Sequence, residues 1–334
     1  MGGRDRGHPP HGLMRRPLVL AAAIALVAPG TAGAHLRSSR SAVDFRASVV
    51  TTPAFVHARI YRADLALGLT LAGRHRVVVL GYLGEPFLRL EGDGVFVNAA
   101  SPTAAGTKLA EPERSSRPVW KLRSRRASVI WHDARVRGGA SSGKWRIPVL
   151  IGSRRAQLAG TVQRVGGPAA WPWFVIGAAF AGAAGIALRR RRLLRPTTAS
   201  LGSIAAAATV LTAIGFALAS TASQGTWIEG ANEAAFALAG AVVLARGSSD
   251  AKALAGGFLG LLGLAAGLTR LPVLLHGIVL SVLPGGLARL AVTVAIAAGA
   301  AAAVLGLVVF FDVLEHYEEP ELLGHQLDDV PFER

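Results

Sequence analysis

Nitrogen donors are scarce in this sequence, which holds nine histidines and no cysteine, so their placement is informative. His35 directly follows Ala32-Gly33-Ala34, whose small residues at −3 and −1 suit signal-peptide cleavage. A chain cut there would begin with a free α-amine beside an imidazole. Such a pair chelates one ion, and copper(II) favours tetragonal nitrogen sites of this kind. Trp131-His132-Asp133, at the end of a strand-like run, offers a second imidazole next to a carboxylate. The expected copper(II) ligand set is therefore His35, His132 and Asp133, with His57 and His75 as further donors. The same residues also admit a metal-free reading, in which cleavage merely exposes a histidine and His132 is a hydrogen-bonded loop residue.

Other chemistries have less to draw on. Without cysteine there is no thiol nucleophile, zinc-thiolate site or disulfide framework. The sequence contains no G-x-S-x-G elbow, no H-E-x-x-H and no G-x-x-x-x-G-K-[ST] phosphate loop, so no enzyme is expected. Gly81, Gly84, Gly92 and Gly94 interrupt strand-like runs and do not open a helix; they read as turn glycines. The net charge of +16 could suggest nucleic acid, but many of its arginines flank apolar helices and set membrane topology instead. The expected partners are the lipid bilayer and another membrane or envelope protein, with no nucleic acid.

The elements that must carry these residues fall into four stretches. Arg15 and Arg16 followed by the apolar run 18–28 and the Pro29-Gly30 break read as a signal peptide over residues 1–34. Residues 35–168 read as an extracytoplasmic β domain. Leu65, Leu67, Leu69 and Leu71, or Val43, Phe45, Ala47 and Val49, recur with the two-residue period of a half-buried strand. Further strand-like runs lie at 55–61, 75–81, 119–123, 128–132, 144–151 and 156–165. Seven to nine short strands predict an immunoglobulin-like antiparallel sandwich, and the Ser/Pro/Ala-rich stretch 99–117 predicts a long loop across one end.

Residues 169–314 read as an all-α transmembrane bundle of about five helices. Trp171-Pro172-Trp173 opens the first span at an interface, and Arg189–Arg192 with Arg195 close it on the cytoplasmic side. Further spans are expected over 201–219, 231–245, 253–268 and 287–311, which leaves the acidic tail 315–334 in the cytoplasm. The apolar stretch 271–283, bracketed by Pro272 and Pro284, is short for a span and reads as interfacial or re-entrant. Gly256, Gly260, Gly263 and Gly267 suit close helix packing. Glu229, Glu233 and Asp312 sit near span ends, where water should reach them. A transporter, with Glu229, Glu233 and His276 lining an outer vestibule, is a further reading.

Several strings have a wider resemblance. Val79-Leu80-Gly81-Tyr82-Leu83-Gly84-Glu85-Pro86-Phe87-Leu88-Arg89, Gly94-Val95-Phe96-Val97-Asn98, Ser101-Pro102, Trp131-His132-Asp133, Trp145-Arg146-Ile147-Pro148 and Trp171-Pro172-Trp173 together resemble a family of actinobacterial membrane proteins. The resemblance implies a signal peptide, an extracytoplasmic β domain and C-terminal transmembrane helices, and carries no activity with it. The family pattern W-H-D-H-R stands here as Trp131-His132-Asp133-Ala134-Arg135, one histidine short. A more distant analogy is to the CopC type of copper-binding protein, an exported immunoglobulin-like domain beginning with His. The leading expectation is thus a membrane-anchored copper(II)-binding or copper-homeostasis protein. The alternative is a metal-free envelope assembly or sensory protein.

Overall fold

The computed structural model describes residues 41–139, 142–219 and 224–323. Its N-terminal part is built from antiparallel strands in two sheets. The larger has the order β2 (Phe45–Thr51), β11 (Arg154–Arg164), β10 (Gly143–Ile151), β5 (Val77–Leu80), β6 (Pro86–Glu91), β7 (Gly94–Asn98) and β8 (Trp120–Ser124). The smaller is β3 (Val56–Tyr61), β4 (Ala66–Leu71) and β9 (Ser128–Trp131).

Strand β10 illustrates why these residues form a half-buried strand. Trp145, Ile147 and Val149 alternate with Lys144, Arg146 and Pro148, and only the first set is buried. They join Phe87, Leu67, Leu69, Leu158 and Trp131 in one core that draws on both sheets. Phe87 and Trp131 meet edge to face at 6.1 Å. Burying a side chain such as Phe87 contributes about 2–3 kcal/mol. Gly160 is required by close approach: a Cβ there would lie 1.9 Å from the Ser48 carbonyl oxygen and 2.5 Å from the Trp145 ring.

Two features differ from the sequence reading. Strands divide seven to three, whereas an immunoglobulin constant-type sandwich divides four to three. The 99–117 stretch is also more than a loop, since it contains helix α1 (Pro102–Gly106). Ser101 caps that helix by accepting from the Ala104 N–H at 3.3 Å, and Pro102 occupies its first position.

The C-terminal part is helical: α2 (Trp171–Arg189), α3 (Arg191–Ala219), α4 (Gln224–Arg246), α5 (Ser249–Thr269) and α7 (Gly285–Leu323). Among the described residues, four helices are long and apolar enough to cross a membrane: α2, α3, α5 and the 285–315 portion of α7. The expected third span coincides with α4, which lies outside that set of four.

Helices α3, α5 and α7 interlock through glycines. A Cβ on Gly202 would lie 2.2 Å from the Gly256 carbonyl oxygen, and one on Gly257 would lie 2.7 Å from the Gly306 Cα. Small residues admit such backbone approach where lipid supplies no hydrophobic drive. Consecutive glycines thus serve two neighbours, Gly256 facing α3 and Gly257 facing α7. At one end Arg195 of α3 pairs with Asp250 of α5, and its Nη2 donates to Asp312 Oδ2 of α7 at 2.8 Å.

The stretch 271–283 holds the short helix α6 (Pro272–Leu275) and strand β12 (Ile278–Val279). Strand β12 pairs antiparallel with β1 (Ala42–Val43), matching Ala42 with Val279 and Val43 with Ile278. The chain between α5 and α7 is therefore stitched to the first strand of the β part.

Candidate functional site

Two polar clusters stand out. The first is the joint between the β part and the helices, centred on Asp44, which lies between β1 and β2. His276 Nδ1–H donates to Asp44 Oδ2 at 2.8 Å, and the Gly277 N–H donates to Oδ1 at 3.0 Å. The backbone continues the seam, with the Leu280 N–H on the Ser41 carbonyl at 2.8 Å and the Val165 N–H on the Asp44 carbonyl at 2.7 Å. From α7, Arg289 donates to the carbonyls of Val273, His276 and Gly277 at 2.9–3.1 Å, holding the other side of the turn. Gly277 is needed here because a Cβ would lie 2.3 Å from the Val165 carbonyl oxygen. The hydrogen bond from His276, then that from Gly277, holds the Asp44 carboxyl below its ordinary value of 3.8 against the opposing effect of burial. The arrangement crosslinks β1, the end of β11, the α5–α7 connection and α7.

The second cluster brings together residues 80–86, 98–103 and 133–135, which are far apart in sequence. Glu85 sits in the β5–β6 turn. Its Oε1 accepts from Ser101 Oγ at 2.7 Å and from the Thr103 N–H at 3.2 Å, and its Oε2 accepts from the Leu83 N–H at 3.0 Å. Burial pushes the Glu85 carboxyl up, but hydrogen bonds from Thr103 and Ser101 outweigh it and hold the group below 4.5. Gly81 makes this possible, as a Cβ would lie 2.1 Å from Glu85 Oε1. Tyr82 accepts the Ala134 N–H at 2.9 Å, and the Arg135 guanidinium lies 4.9 Å from its ring centroid. Arg135 also donates to the Leu80 carbonyl at 3.0 Å. Asn98 completes the corner by donating to the Pro86 carbonyl at 2.7 Å and accepting from Ala100 and Val119. At the tip, Leu83 is 79% exposed.

The expected ligand residues separate in this structure. His35 lies outside the described residues. Asp133 is fully buried: Oδ1 accepts from the Arg135 N–H and Nε–H at 2.9 and 3.0 Å, and Oδ2 from Trp131 Nε1–H and Arg135 Nη2–H at 3.0 and 2.7 Å. Four donors fill the four lone-pair directions of a carboxylate. His132 points the other way, exposed, with Nδ1–H donating to the Leu65 carbonyl at 2.7 Å. His57 is exposed on β3, and His75 stacks on Phe55 at 4.0 Å between ring centroids. Among the described residues, no group of three or more His, Asp and Glu side chains is placed to hold a metal.

The expectation for Glu233 needs correction. Glu233 does not face open water, because both its oxygens accept from Arg270 Nη2 at 2.9 Å. Arg270 is 9% exposed and also donates to the Ala266 carbonyl at 3.0 Å. His276 belongs to the joint, where its ring donates to Asp44. Sequence reasoning missed Asp44, Glu85, Arg135 and Arg289. Ser101-Pro102 carried a recognisable cap signal for α1, whereas nothing local marks Asp44 or Arg289, whose partners are remote in sequence.

The chain therefore falls in the class of proteins that join an antiparallel β part to apolar helices able to cross a membrane. No protein-family model matches it, and neither a curated protein nor a solved structure does.

Proposed function

We propose that this protein is a membrane-anchored extracytoplasmic interaction module without enzymatic activity of its own. Its β domain lies outside the cytoplasmic membrane, meets an envelope partner and transmits that contact to a five-span bundle. The observation that carries this reading is the joint at Asp44, where side-chain and backbone hydrogen bonds couple the β domain to the connection between two helices. A merely tethered domain needs no such seam. The orientation follows from Arg189–Arg192, which lie at the opposite end of α2 from the joint and favour the cytoplasmic side. A reporter active only outside the cytoplasm, fused after Arg334, should be silent; activity there contradicts the topology. In the full-length protein in nanodiscs, Asp44→Ala should raise hydrogen exchange across residues 272–289. Unchanged exchange contradicts the coupling role.

A copper(II)-binding reading keeps one specific support. A metal-bound imidazole usually donates its other N–H to a carbonyl or carboxylate, and the His132 bond to Leu65 leaves Nε2 outward in that manner. Under this reading His132 and His35 are the ligands, and Asp133 only positions Arg135 and Trp131. Calorimetry on the signal-cleaved protein tests it. His132→Ala should abolish copper(II) binding, and equal binding by the variant rules the site out.

A further inference from the structure

The larger sheet ends at β8, whose far side pairs with no strand among the described residues. Six strand spacings, or about 29 Å of sheet, separate β8 from β2, which starts beside the seam. The direction of its free groups follows from the register. The Ala99 N–H donates to the Val119 carbonyl at 2.8 Å, and two residues on Val97 pairs with Lys121. In an antiparallel ladder the residues between such bonded pairs turn their N–H and C=O away from the partner strand. Trp120 and Leu122 therefore offer theirs outward, and no other backbone group meets them among the described residues. Leu122 is 52% exposed beside its cross-strand neighbour Phe96, and the Arg89 guanidinium lies over the Phe96 and Trp120 rings at 4.5 and 4.8 Å. The edge is thus both open and apolar. Its surroundings are cationic. Arg123, the extra residue at the β7–β8 bulge, and Arg125 and Arg126, in the turn to β9, are exposed and have no carboxylate partner among the described residues. The turn that carries them is ordered, with Ser124 Oγ–H donating to the Arg126 carbonyl and the Arg126 N–H donating back to Ser124 Oγ, both at 3.0 Å. Lys121 is engaged separately, with Glu113.

We infer that β8 is the docking edge for an extended acidic segment of the envelope partner, which adds an eighth strand to the sheet. Main-chain hydrogen bonds at an exposed edge supply affinity in such strand addition, and alternate side chains supply specificity. Here apolar side chains of the incoming strand meet Leu122, and its carboxylates meet Arg123, Arg125 and Arg126. Charge on an edge strand normally blocks pairing with further chains. Three arginines do block a second copy of β8, which would bring like charges together, but they admit a strand of opposite sign. A polyanion without a peptide backbone offers acceptors only and leaves the outward carbonyls of Trp120 and Leu122 unmet, whereas a polypeptide strand satisfies both kinds of group. The inference rests on the reading of this protein as an interaction module. That reading is tested at the seam, by Asp44→Ala, and stands or falls without β8.

The probe is a labelled peptide of alternating Val and Glu, added to the full-length protein in phosphatidylcholine nanodiscs. Binding is read by fluorescence anisotropy and located by hydrogen exchange. The peptide should bind and slow exchange of the Trp120 and Leu122 amides. Methylating its backbone nitrogens keeps the charge but removes the donors, and should abolish that protection. A Val and Lys counterpart should not bind. Leu122→Pro removes one outward N–H at an edge position that accepts proline, and should weaken binding about fivefold, the worth of one hydrogen bond. Arg123→Gln combined with Arg125→Gln leaves the backbone intact and should also weaken it about fivefold, as expected for two exposed ion pairs. Arg155→Gln, in the β10–β11 hairpin, should leave binding unchanged. Absence of binding, or equal binding by the wild type and the double arginine variant, overturns the inference. Equal binding of the methylated peptide would assign the patch to charge alone and overturn strand addition. A dimer of the protein that Leu122→Pro disrupts would make a second copy the occupant and overturn the acidic partner. Each of these failures leaves the seam, and the reading built on it, to its own test.

Discussion

Asp133 and His132 are neighbours in sequence with opposite duties, and the β-strand period explains it. Adjacent side chains at the end of β9 point to opposite faces, so one carboxylate enters the core while one imidazole reaches solvent. Asp133→Ala would leave the Arg135 guanidinium and Trp131 indole without their acceptor, at a cost of about 3–5 kcal/mol. His132→Ala should change stability by about 1 kcal/mol or less, since it removes one part-buried hydrogen bond from an otherwise exposed side chain. Thermal melts of the full-length variants in detergent check both, and a larger loss in His132→Ala would contradict this division. The sequence placed Trp131, His132 and Asp133 at a strand end correctly. It could not show that Asp133 would be claimed by Arg135, because a short run of alternating residues reveals faces and not the occupants of the interior.

Among the elements, those with clear periodicity were the most legible. Strand β10, with its strict alternation, was readable almost residue for residue; the apolar helices were legible as elements, but α3 begins ten residues before the expected span and α7 runs twelve beyond it. The β6–β7 hairpin was not, since adjacent residues are buried together, Phe87 with Leu88 and Val97 with Asn98, and this breaks the two-residue pattern. The helical core yields a sharper test. Gly257→Ala would press a methyl group into Gly306 and cost about 1–3 kcal/mol by overpacking, read as lower recovery of folded protein from the membrane. Glu233→Gln should be similarly costly, about 1–3 kcal/mol, by weakening the bond that neutralises Arg270. The hydropathy pattern hid this pair, because Arg270 follows the apolar run of α5 and its partner lies 37 residues earlier in the chain. A melting temperature for Glu233→Gln equal to that of the wild type would return Glu233 to a solvated position.

Taken whole, the molecule joins two solvents through one seam, and the charge distribution suits that task. Between residues 41 and 168, Arg and Lys outnumber Asp and Glu twenty to eight. Such a domain is attracted to anionic surfaces. The few carboxylates in this part include Asp44 and Glu85, both held below their ordinary values. A depressed carboxyl stabilises the fold fully above its unfolded value and loses that contribution as pH falls through the folded value. The seam and the Glu85 turn should therefore be intact at neutral pH and loosen only in acid, below about 4. Proteolysis of the full-length protein across that range should reveal new cleavage near residues 41–44 and 272–284 in acid alone. Cleavage that begins at neutral pH would contradict the account.

The central claim, that β1 and β12 hold the β domain to the bundle, can be measured directly because the chain has no cysteine of its own. Ala42→Cys with Val279→Cys places a thiol on each side of a paired position, within the reach of a disulfide. Ser48→Cys with Thr161→Cys, a paired position inside the larger sheet, is the positive control. Oxidised in native membranes, both pairs should crosslink to the same extent. Efficient crosslinking of the control pair with none between positions 42 and 279 would show that the β domain is not joined to the helices there, and would contradict the coupling on which the proposed function depends.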